Sequence, residues 1–387
     1  MLFRSWASAV EAPWPDLVTV ADHVGVPHLV VTRHALVRRV LTDPVTFRPD
    51  NALDAVSPMP VAALRVLAGH RFRLPPTLAN NAGADHPAIR SIVADALRPD
   101  RVAEQRPWLT ELVRGRVARL RATLAGGAPV DLYAELAADL PLLVLARLVE
   151  LPDTPVGAVK DFARAALELF WAPLDADRQL ALATEVGRFH RVLRDFAATG
   201  GGLAGRLRAA GHPPDVVVGA LFFLLVAGQE TTSQFLTLLL HRLAGEPAVR
   251  AGLRDGTVAV ADVVEEGLRL EPPIVTWRRV AAVDTTLGTT AVPAGTSLVL
   301  WLARAGRDPK VVEAPDEFRP GQRGSRRHLA FGAGAHRCVG DVLARMEAAV
   351  VVAEAAPLLD GVSVVRGPWC PDNLTFRMPD AFVIRRD

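Results

Sequence analysis

The stretch Phe331-Gly332-Ala333-Gly334-Ala335-His336-Arg337-Cys338-Val339-Gly340 sets one cysteine between two glycines, just ahead of an apolar-periodic segment. Val342, Leu343, Met346, Val350 and Val351 recur at roughly helical spacing, which predicts a helix of about four turns opening behind the sulfur. A cysteine is a good metal ligand only as the anion, and the unpaired N–H groups and dipole at a helix N-terminus lower its pKa. Cys338 has that position. Glycines at 334 and 340 let the backbone lie close to a flat ligand where a Cβ would collide. One cysteine ahead of a helix is more often a small buried hydrophobe, so the offsets of Phe331, Gly334, His336 and Gly340 from it carry the reading.

Those residues resemble the haem-binding signature of the cytochrome P450 family, Phe-x-x-Gly-x-His/Arg-x-Cys-x-Gly. The resemblance implies a haem b cofactor with Cys338 as axial ligand of its iron, and the cytochrome P450 fold, mainly α with a small β portion. The chain of 387 residues is expected to form a single large haem domain over 1–387. Helical patterning runs from about 84 to 270 and from 338 to 357, and short strands are expected at about 28–32 and 274–301. Residues 50–82, rich in proline and asparagine, read as an irregular loop. The chain starts close to the first strand, so the leading helix of the family is expected to be shortened.

Half of the residues are hydrophobic, ample for a large interior, and a net charge of only +2 gives no argument for nucleic acid. Two cysteines, 338 and 370, are too few for a disulfide framework, and so sparse a usage fits a reducing cytoplasm. No signal peptide is evident, and no run reaches the roughly 18 consecutive apolar residues of a membrane span. A cytoplasmic protein without a membrane anchor is expected.

A second chemical signal lies in the long apolar helix expected from Asp215, as its cap, to Leu243. Ala227-Gly228-Gln229-Glu230-Thr231-Thr232 puts a carboxylate and hydroxyls into an otherwise apolar run, which is costly unless they are partnered or used. Ala227 and Thr231 are four apart and share a face. The segment is similar to the oxygen-activation element of the same family, Ala/Gly-Gly-x-Asp/Glu-Thr. The likeness implies that Gly228 leaves room for dioxygen, that Thr231 hydrogen-bonds it, and that Glu230 relays protons.

Glu266 and Arg269 are three apart and can pair on one helix face. They match the family's Glu-x-x-Arg pair, which implies a structural third partner in Phe318–Arg323, with Arg323 preferred over Arg319. Propionate anchoring is implied for His86 and Arg90 in Ala84-Asp-His-Pro-Ala-Ile-Arg90, for Arg279, and for His336; arginine suits carboxylates through bidentate contacts. Substrate-pocket candidates by the same resemblance are Phe223, Val226, Ile274, Val275, Thr276, Trp277, Thr375 and Phe376, with Arg278 a further contact for an acidic substrate.

Together these motifs imply a haem-thiolate monooxygenase acting on a small organic or peptide substrate by hydroxylation or epoxidation, in secondary metabolism. Electrons would come from NAD(P)H through a separate ferredoxin reductase and ferredoxin, the latter docking on a basic face made by Arg323, Arg326, Arg327 and Arg337. The alternatives are a same-fold oxidase that couples aryl groups or closes rings on a peptide or polyketide, and a non-enzymatic haem carrier or sensor.

Overall fold

Apolar residues at three- and four-residue spacing build the helices that dominate this protein, and the longest apolar run passes through their middle. The computed structural model describes residues 14–22, 24–151 and 155–387. The expectation about a shortened leading helix falls on residues 1–13 and lies outside the described residues. Helices Pro99–Ala125 and Asp341–Ala355 pack on each other, and helix Val156–Trp171 packs on Ala176–Thr199. Val113, Val117 and Leu120 of the first and Val350 and Val351 of the second are buried in the same core.

The expected single helix from Asp215 to Leu243 is two helices, Pro214–Ala227 and Glu230–Ala244. The break is chemical. Thr231 Oγ1 donates to the Ala227 carbonyl at 2.7 Å, and Gly228 N–H closes the first helix on Leu224 O at 2.8 Å. A Cβ on Gly228 would stand 2.6 Å from Leu224 O and 3.1 Å from Leu145 Cδ2, so glycine is also required here for close packing. Asp215 does not cap the helix; Pro213 holds that position, and Asp215 contributes its charge to the first turn. Together the two halves are long and apolar enough to cross a membrane, but 72% of the apolar window is buried inside the protein, as a core helix should be.

Five strands form the main sheet in the order β1 (Leu17–Ala21), β2 (Pro27–Val31), β8 (Ser297–Trp301), β5 (Thr276–Ala281) and β3 (Phe47–Arg48). Strand β2 runs parallel to β8, Leu29 opposite Leu298, and β8 is antiparallel to β5, Arg279 opposite Leu298. Two small sheets complete the β portion: the hairpin β6 (Thr285–Leu287) and β7 (Thr290–Val292), and β4 (Val130–Asp131), β10 (Val383–Arg386) and β9 (Val362–Arg366), which ties the end of the chain to its middle. Within the expected loop of residues 50–82 a helix forms at Val61–Gly69. Prolines at 58 and 60 end at its N-cap, where they start a helix rather than break one.

Candidate functional site

The Cys338 loop is held from three sides. Cys338 N–H donates to Phe331 O at 2.8 Å, closing the turn that presents the sulfur. Gly334 adopts φ +71° and lies against the end of helix His34–Thr42, where a Cβ would be 2.7 Å from Leu41 O. Gly340 is under no such constraint; a Cβ there would make ordinary contacts. Arg345, one turn into the helix behind the sulfur, stacks on the Phe331 ring at 4.4 Å and donates to Glu265 at 2.6 Å and Asp341 at 2.8 Å. Glu265 also accepts from His328 Nε2 at 3.1 Å. Burial pushes the Glu265 carboxyl up, but the hydrogen bonds from His328 and Arg345 outweigh it and hold its pKa at about 2. Sequence reading singled out Glu266 and passed over Glu265; the signal for it, a histidine three residues before Phe331, was present.

Glu266 and Arg269 pair as expected, both fully buried, through a bidentate contact at 2.7 and 2.8 Å. The third partner is not Arg323, which is exposed. Gln322 Nε2 donates to Glu266 Oε1 at 2.5 Å, and the Arg319 backbone N–H donates to the same oxygen at 2.9 Å. Arg269 turns its remaining donors to the carbonyls of Gly306, Pro315 and Glu317. A buried carboxylate prefers a compact amide donor here because Arg269 already supplies its counter-charge.

The cysteine itself is accessible, yet burial is the main influence on its thiol and raises the pKa, against the pull of the Gly340 N–H and of Arg90 and Arg337. Four basic side chains gather nearby. His86 and His336 have ring centroids 4.3 Å apart. Burial, with the positive charge of Arg279 and the neighbouring His86 and Arg90, pushes His336 down to about 3. Arg279 is 2% exposed and lowered to about 10 by burial. Buried nitrogens of His86, Arg279 and His336 have no hydrogen-bond partner. Such a set is short of anionic acceptors, and two carboxylates brought against it would satisfy it. The residues therefore fit a haem, whose propionates this cluster would satisfy.

On the core helix, Phe223, Ala227, Gly228 and Thr231 are part-accessible among neighbours that are buried, at the four-residue spacing of one face. Glu230 is turned the other way, fully buried, and ion-paired with Lys160 Nζ, while Arg164 lies 3.7 Å from its other oxygen. Lys160 also donates to Gln229 Oε1 at 2.9 Å. Burial lowers the Lys160 pKa against the attraction of Glu230. Lys160, one of two lysines in the chain, was not among the expected site residues; a lone lysine in an arginine-rich chain was the available hint.

The pocket candidates divide. Ile274 and Trp277 are part-accessible, like Phe223. Val226, Val275, Thr276, Thr375 and Phe376 are buried and serve packing: Val226 is off the Phe223/Ala227 face, and the Thr276 hydroxyl donates to Leu374 O at 2.5 Å. Strand alternation explains Arg278, which points away from Trp277 and Arg279 and binds the carbonyls of Ala52 and Asp54 instead of a substrate. Of the expected basic face, Arg326 pairs with Asp262 and Arg337 with Asp341, while Arg323 and Arg327 are exposed.

Residues 214–355 match the family model described as cytochrome P450. The chain is 32% identical over 262 residues to cytochrome P450 144 of Mycobacterium tuberculosis, a match covering 64% of this chain and 60% of that protein's length. It is 30% identical over 275 residues to putative cytochrome P450 123 of Mycobacterium bovis, covering 69% of this chain and 67% of that one. Among solved structures, cytochrome P450 CREJ in complex with (4-ethylphenyl) dihydrogen phosphate superposes with a TM-score of 0.88 at 26% identity, over 95% of this chain and 94% of that one. With the Cys338 loop, the buried Glu266–Arg269 pair and the broken core helix on one fold of this shape, the chain belongs to the cytochrome P450 family.

Proposed function

We propose that this protein is a haem-thiolate monooxygenase that places one oxygen atom of dioxygen on a small organic substrate, by hydroxylation or epoxidation, and releases the other as water. The observation that carries the reading is the break at Gly228–Gln229, which turns Thr231 to an accessible face and Glu230 onto a buried lysine. Haem, when bound, supplies the reductive activation of dioxygen, and a thiolate ligand strengthens it by electron donation. Cys338 would hold the iron through its sulfur, with the Gly340 N–H favouring the thiolate. His86, Arg90, Arg279 and His336 would hold its propionates.

Lys160 Nζ holds the buried Glu230 carboxylate in an ion pair, which fixes the first turn of the second half-helix and so the placement of Thr231; burial lowers the Lys160 pKa against the attraction of Glu230. Thr231 Oγ1 rests on the Ala227 carbonyl and can turn its hydroxyl toward the accessible face. Phe223, Ile274 and Trp277 give an apolar wall that favours an apolar substrate and excludes water. Electrons reach the site from NAD(P)H through a ferredoxin reductase and a ferredoxin, and the work is done in the cytoplasm, in secondary metabolism.

The test is the carbon monoxide difference spectrum of the reduced protein. Wild type should show the red-shifted Soret band of thiolate ligation, and Cys338→Ala should lose it. Retention of that band in Cys338→Ala would overturn the assignment.

A further inference from the structure

A groove of roughly 600 Å³ lies where helix Val61–Gly69 packs on helix Ala176–Thr199, and its lining is basic. Arg65, Arg71, Arg191 and Arg194 line it together with His70 and Thr184. Among the described residues none of these four arginines has a carboxylate partner, whereas Arg326 and Arg337 near the Cys338 loop are both paired. The nearby Glu185 is taken by Arg188 at 3.4 Å. The Arg191 guanidinium lies 3.0 Å from His70 Nδ1, a partner that brings no negative charge.

The groove is built into the packing of the two helices. The His70 ring lies where a side chain on Gly187 would be, with a Cβ there only 2.5 Å from Cδ2, so the small residue seats the ring between the helices. Arg71 is held at φ +54°, a conformation non-glycine residues seldom adopt. Phe72 comes next in the chain and packs on Phe170 and Phe222 at ring distances of 6.3 and 5.8 Å, next to Phe223 of the accessible face.

We propose that this groove binds the phosphate group of a ligand. Four arginines lining one concavity without carboxylate partners suit an oxyanion that carries several oxygens and more than one charge better than a single carboxylate. The phosphate could belong to a free phosphate ester or to a phosphate-bearing arm carried on another molecule, and the same contacts would read both.

Inorganic pyrophosphate is the probe, with binding to the haem-loaded protein measured by calorimetry at low ionic strength. Saturable binding is expected, weakened about tenfold or more by Arg71→Ala and by Arg191→Ala, less by Arg191→Lys, and unaffected by Arg386→Ala elsewhere on the surface. Arg65, Arg71 and Arg191 are exposed, so these variants should keep the thermal midpoint of wild type. Phenyl phosphate and coenzyme A then separate the sources: tight binding of the first supports a free ester, of the second a carried arm. Equal binding by the groove variants and wild type, equal loss in Arg386→Ala, or capture of anionic vesicles without any binding of pyrophosphate would each overturn the proposal. Because the readout is binding, it stands or fails separately from the haem spectrum.

Discussion

Replacing Glu265 by glutamine removes one charge from the tie between helix Val260–Leu270, His328 and Arg345, and its cost can be worked from the fold. The carboxyl falls from 4.5 in the free side chain to about 2 in the protein. At about 1.36 kcal/mol per pKa unit, that difference is about 3 kcal/mol of stability. A carboxyl depressed in the folded state stabilises fully above its unfolded value and loses that contribution as pH falls toward the folded one. Wild type should therefore exceed Glu265→Gln by about 3 kcal/mol at neutral pH, and the gap should shrink between pH 4.5 and about 2. The assay is urea unfolding followed by tryptophan fluorescence at a series of pH values. A gap that stays constant down to pH 3, or one below about 0.5 kcal/mol at neutral pH, would show that packing and not charge ties this loop down.

Lys160→Met leaves the Glu230 carboxylate buried with only Arg164 near it and should cost about 3–5 kcal/mol in unfolding free energy, while the double variant Lys160→Met/Glu230→Gln should recover most of it. Glu347 is fully buried, with no hydrogen-bond partner among the described residues, and burial raises its pKa well above 4.5. It therefore binds a proton in the folded state that the unfolded chain has lost at neutral pH. Its contribution worsens as pH rises past 4.5, so the stability advantage of Glu347→Gln, measured by urea unfolding, should grow from pH 4 to pH 8. Gly228→Ala should lower the thermal midpoint through contact with Leu224 O and Leu145, at about 1–3 kcal/mol. Thr231→Ala should divert electrons from product to peroxide under substrate-driven turnover, and unchanged coupling would refute the role given to its hydroxyl.

The cysteine loop, the Glu266–Arg269 pair and the order of helices were legible because each is a local pattern: a spacing, a cap, an i,i+3 pair. The kink between Ala227 and Glu230 was not, since the bond from the Thr231 hydroxyl to the Ala227 carbonyl reads in sequence as the ordinary back-bond of a threonine within a continuous helix. Gln322 displaced Arg323 because a carboxylate already neutralised by Arg269 needs a short donor rather than a second charge. Lys160 escaped notice for a different reason: its partner lies 70 residues away in sequence, and only the packing of two helices brings them together. Pocket residues failed where a one-residue step changes the face, as at Val226 and Thr276.

The parallel pairing of β2 with β8 has a consequence for how the chain is made. His28 and Ser297, joined by a hydrogen bond of 2.9 Å, are 269 residues apart. At a synthesis rate of about 5–20 residues per second, the first hairpin waits roughly 15–50 s for its neighbour. For that time Leu29, Val30 and Val31, all buried in the finished protein, have no strand beyond them on the ribosome. The segment synthesised first is thus among the last to reach its native place, and a nascent chain arrested before residue 297 should be cut by protease in its first fifty residues.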